Sequence, residues 1–147
     1  MTTAAQISAV VLAGLTTLAA LLGSWRWYRV EASRAFWALA RSAQAAAGAQ
    51  AVVAGMLALS GFEPADGLFW LYALLPVAVS FVAEQLRLAS AQTVLDARGI
   101  QDAQAVGRLE RVGQRSVVLA IVRREIGVMA VTMAVVAFLA LRTLGTI

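Results

Sequence analysis

Three sets of charged residues stand where long uncharged stretches end: Arg41, then Glu84 with Arg87, then Arg123, Arg124 and Glu125. Gln44 and Gln85 set neutral donors and acceptors beside them. Glu84 and Arg87 are one helical turn apart and can pair on one helix face. Four arginines against two glutamates leave a charge of +2 at that level. Guanidinium forks match the geometry of carboxylates and phosphates, so three readings follow. In the first, the charges form a belt of ion pairs and snorkelling arginines that fixes helix register. In the second, Arg41, Gln44, Glu84, Arg87, Arg123 and Arg124 bind an anion, either a lipid headgroup phosphate or an acidic metabolite. In the third, Glu84 carries protons in coupled transport.

The inventory narrows catalysis sharply. His, Cys, Lys and Asn are all absent. Without Cys and His there is no disulfide, thiolate nucleophile, Cys/His zinc site, His-ligated haem or Ser-His-Asp triad. General acid–base work would fall to Glu84, Glu125, Asp96 or Tyr72, and no two carboxylates share a helix face at metal-site spacing. No catalytic residue, metal ligand or cofactor is therefore assigned. The pI of about 11.0 could point to nucleic acid, but the most arginine-rich stretch, 88–125, has no aromatic residue for base stacking. Nucleic acid is not an expected partner.

The elements that must position these residues are set by hydropathy. Of 147 residues 61% are hydrophobic and 14% charged, more apolar than a water-soluble domain tolerates. A bilayer core about 30 Å thick takes roughly 20 apolar residues per helix. Four uncharged runs answer that requirement, predicting spans at about 6–25, 42–62, 67–86 and 126–144. The last two runs are short, 17 residues between Asp66 and Glu84 and 16 between Glu125 and Arg142, so their flanking charges are expected near the headgroups. A cleaved signal would need a basic start. Residues 1–25 hold neither Arg nor Lys, so the first segment is expected to remain as a helix.

Arginine distribution orients the spans. Eleven of the 12 arginines lie in the two long links, 26–41 and 87–124, and only Arg142 lies opposite. Both long links are expected in the cytoplasm and both termini outside. Alanine richness, arginine in place of every lysine, and the lack of asparagine point to a GC-rich bacterial gene and hence to a bacterial inner membrane. Nine of 11 aromatics, among them Trp25, Trp27, Trp37, Phe69 and Trp70, fall near the predicted interfaces.

Within span two, Gly48, Ala51 and Gly55 continue a stripe from Gln44, and the opposite side (Ala43, Ala46, Ala47, Ala54) is nearly as small. Small residues let helices approach in lipid, so this helix is expected centrally, with Gly48, Ala51 and Gly55 as packing positions. Pro76 sits inside span three, removes the donor to the Tyr72 carbonyl, and is a possible hinge that Ser80 or a water would re-satisfy. Residues 88–125 are expected to be helical, broken at Gly99, with Asp102 opening the next turn. They either extend spans three and four as a hairpin or lay 103–122 along the inner leaflet.

The expected fold is an all-α integral membrane protein: a single domain 1–147, an antiparallel four-transmembrane-helix bundle with a helical cytoplasmic extension between helices three and four. The expected function is that of a non-enzymatic structural or interaction component. Its partners would be the bilayer with its anionic lipid headgroups, and either further copies of the chain in a homo-oligomer or another membrane protein. A small-solute or ion transporter using Glu84 and the arginine cluster is the alternative, and a lipid- or metabolite-modifying membrane enzyme comes third.

Overall fold

The computed structural model describes residues 2–147, and among these all regular structure is helical. Helix α1 spans Thr2–Arg29, α2 Arg34–Leu59, α3 Phe69–Leu88, α4 Ser90–Ala97, α5 Ala103–Gly107 and α6 Arg111–Leu144. Four of them, α1, α2, α3 and α6, are long and apolar enough to cross a membrane.

Local chemistry marks the breaks. After α1, Val30 adopts a left-handed conformation (φ 51°), costly for a β-branched residue. Arg26 holds the corner with an ion pair to Glu31 at 2.7 Å. Ser33 then caps α2, its hydroxyl accepting from the Phe36 amide at 3.2 Å. Gly61, at φ +73°, ends the turn after α2. Gly99, at φ +65°, ends α4, and the Asp102 carboxylate caps α5 by accepting from the Ala105 amide at 2.7 Å.

The long helices pack in three layers. At one end Ala5 of α1 meets Ala54 and Leu57 of α2 and Phe69 and Ala73 of α3. In the middle Leu12 and Ala13 meet Ala47, Val136 and Ala140. At the other end Ala19 meets Phe36, Ala40, Ala43, Ala83 and Met129. Residue numbers rise along α1 and α3 and fall along α2 and α6 through the same layers, so successive long helices alternate in direction. Helix α1 packs on α2 and α6, α3 packs on the same two, and α2 and α6 scarcely touch.

Helix α2 touches α1 and α3, but the most enclosed helix is α6. Of the most apolar 18 residues of α6, 61% are buried, against 33% in α1 and 28% in α2 and α3. Helix α2 packs through Ala40, Ala43, Ala47, Gln50 and Ala54. The other stripe turns outward: a methyl group added at Gly48 or Gly55 would meet nothing within 4 Å, and Ala51 is half-buried. Both sides of α2 are small, so composition could not say which one packs. The glycines that do allow close approach lie elsewhere. A Cβ on Gly23 would stand 2.5 Å from the Phe36 ring, and one on Gly127 would stand 3.0 Å from the Trp27 indole nitrogen.

Helix α3 continues through Pro76, which is buried. Ser80, which the sequence suggested as a local replacement donor, leaves its hydroxyl without a partner. Buried Gln50 of α2 donates instead to the next carbonyl, Ala73, at 3.3 Å, one residue past the Tyr72 carbonyl that the proline leaves without its amide donor. Of the two arrangements for 88–125, packing favours the hairpin. Helix α4 lies against α6, and Arg98 donates to the Ser116 hydroxyl at 2.9 Å and to its carbonyl at 3.4 Å. Residues 111–122 form the opening turns of α6, not a separate surface helix.

Gly23→Ala forces a methyl group into the Phe36 ring and Ala130, and is expected to cost about 1–3 kcal/mol. Gly48→Ala and Gly55→Ala, with open space and better helix propensity, are expected to leave stability unchanged or raised. Thermal unfolding of the three variants in one detergent checks the contrast.

Candidate functional site

The packing of small residues brings the first charged group together. Ala40 and Ala43 of α2 share a buried cluster with Ala83 of α3, so the side chains next to them in sequence are delivered to one edge. Glu84 Oε1 accepts from Arg41 Nη1 at 2.8 Å and from Gln44 Nε2 at 2.9 Å. Glu84 Oε2 accepts from Arg87 Nε at 2.9 Å and, more weakly, from Arg41 Nη2 at 3.4 Å. Arg41 also donates to Gln44 Oε1 at 2.7 Å. The Arg87 guanidinium stacks 5.5 Å from the centre of the Trp37 ring, a cation–π contact that pins it between two helices. One carboxylate thus holds two guanidiniums and an amide, with both oxygens in use. This arrangement is a clasp between α2 and α3.

Arg123 and Arg124 do not join it. They lie on α6, on the far side of α3, and neither makes an ion pair or side-chain hydrogen bond with any described residue. They line an open furrow of about 640 Å³ with Trp27, Leu86, Val94 and Gly127. Helix α3 divides the two groups: Arg87 turns to α2, while its chain neighbour Leu86 turns to the furrow. The six residues read from the sequence as one anion site are therefore two sets. The clasp carries a net charge of +1 from Arg41, Glu84 and Arg87, and Arg123 and Arg124 bring two positive charges to the furrow, while Glu125, the remaining charge of the +2 total, pairs with neither arginine.

Sequence reasoning missed Trp27, Leu86 and Gly127 as parts of the second set. A signal existed in Gly127, a lone glycine three residues after Arg124 in a run of Val, Met and Ala. In the structure it is the flat seat on which the Trp27 indole rests. Between the helices, the space around Ser8, Gln50, Ala73 and Thr143 is too narrow to admit a water-sized sphere. Among the described residues no three of Asp, Glu, His or Cys converge as a metal site.

Removing the hub carboxylate should hurt more than removing a spoke. Glu84→Ala leaves two guanidiniums facing each other and is expected to cost on the order of 1–3 kcal/mol. Arg41, whose side chain is 52% exposed, is expected to cost less than about 1 kcal/mol on truncation to Ala. A double-mutant cycle read by thermal unfolding separates the pair term from the rest. Comparison of this chain with protein families, with curated proteins and with solved structures finds no match.

Proposed function

We propose that this chain is an integral protein of a bacterial inner membrane, crossing it four times as an antiparallel bundle, with α4, α5 and the opening turns of α6 as a cytoplasmic extension. Its long helices present Leu21, Val52, Phe81, Val131 and Phe138 outward, each more than half exposed, a surface suited to hydrocarbon rather than water. Helix α6, at 34 residues, has a length of about 51 Å. That exceeds a bilayer core of about 30 Å and leaves its first turns to project. The arginine bias supports a cytoplasmic side for those turns and for the α1–α2 corner.

Within that membrane the protein acts as a non-enzymatic structural or interaction component, through its outer surface. The observation that carries this reading is the saturation of Glu84 by Arg41, Gln44 and Arg87. Transport through Glu84 would have to break three charge-assisted hydrogen bonds and open an interior that Phe36, Leu12, Met129 and Met133 fill.

The chain has no native cysteine, so single substitutions can be labelled cleanly. Ala65→Cys and Gln104→Cys are expected to react with a membrane-impermeant thiol reagent from opposite faces of sealed vesicles. Labelling from the same face overturns the four-span topology. Liposomes containing the purified protein are expected to show no solute or ion flux above empty liposomes. A flux abolished by Glu84→Gln replaces the interaction reading with transport.

A further inference from the structure

The furrow at Arg123 and Arg124 is the stem of a forked depression on the outside of α6. One arm, of about 380 Å³, follows the α1–α6 seam from Trp27 past Val131 and Val135 to Phe138. The other, of about 360 Å³, starts between Leu86 of α3 and Thr132 of α6 and runs along α3 past Val82 to Leu75. The stem shares Trp27 and Val131 with the first arm, and Leu86 and Thr132 with the second. Both arms lead away from the arginines and are apolar along their length. From Arg124 to Phe138 is a rise of about 21 Å and from Leu86 to Leu75 about 16 Å. One leaflet of a bilayer core is about 15 Å deep.

We infer that this depression binds one anionic two-chain phospholipid, its phosphate held by Arg123 and Arg124 and one acyl chain in each arm. The shape and the charge agree on that occupant. Two guanidiniums without an acidic partner stand at the only cationic end of the fork, where forked donors match phosphate oxygens. Trp27 lines the stem and the first arm, with its indole seated on Gly127, so a ring with one polar edge borders the entry to that arm. A single-chain anion would leave one arm empty. A zwitterionic lipid would bring a second cation to two arginines with which no carboxylate is paired among the described residues.

The inference rests on the membrane reading above. The two fail separately, because vesicle topology tests the bilayer and lipid retention tests the fork. The probe is an equimolar mixture of phosphatidylglycerol and phosphatidylethanolamine in mild detergent, and the readout is the lipid that stays bound in native mass spectrometry. The wild-type chain is expected to retain one phosphatidylglycerol in preference to phosphatidylethanolamine. Arg123→Gln with Arg124→Gln is expected to lower that retention about 10- to 30-fold. Val131→Trp, which fills the branch at an exposed position and leaves both arginines in place, is expected to lower it comparably. Arg111→Gln with Arg115→Gln removes two exposed cationic charges outside the fork and is expected to stay within about twofold of wild type. Equal retention of both lipids, equal loss in the two arginine pairs, or full retention in Val131→Trp overturns the inference. So does a dimer that Val131→Trp abolishes and added lipid does not, since the fork would then be covered by a second copy.

Discussion

Alanine sets the distance between the helices, and the rest of the structure depends on that distance. More than half of the buried hydrophobic residues are alanine, and they recur in every layer of the core. A methyl group keeps two helix axes near the short end of their usual 8–10 Å separation. At that separation a large side chain fits only where its neighbour gives up its own. Phe36 occupies the space left by Gly23, and Trp27 lies on Gly127. In lipid, where burial of apolar surface no longer favours association, such close approach is the main attraction between helices.

The same short distance sorts the polar groups. Ala83 against Ala40 and Ala43 brings Glu84 within hydrogen-bond reach of α2, so a charge that would be costly near the bilayer is shared among three donors. Gln50 performs a related task deeper in, crossing from α2 to a carbonyl near Pro76. Polar side chains in this protein mostly serve their own helix pair. Arg123 and Arg124 do not, and face outward on the most buried helix.

How much of this could be read beforehand depends on which property carries the information. The four long helices follow from uncharged runs, because lipid solubility is written in composition. The breaks at Gly99 and Asp102 follow from turn and cap chemistry, which is local. Helix ends were less legible. Helix α2 begins at Arg34, not near residue 42, since hydropathy reports where a helix can meet lipid and not where it starts. Ser33 three residues ahead of Phe36 was the available cap signal. The packing side of α2 could not be read, because Gly48 and Ala47 are equally small and only the neighbouring helices choose between them. The division of the arginines needed the path of α3, a matter of tertiary packing that spacing along one chain does not encode.

Helix α6 runs without interruption from the clamp that Arg98 makes on Ser116 to the turns that close the far end of the core. The turns of α6 that meet α4 and the turns that carry Gly127 and the arginine pair therefore belong to one helix, so the extension and the forked depression are built on a single shared element.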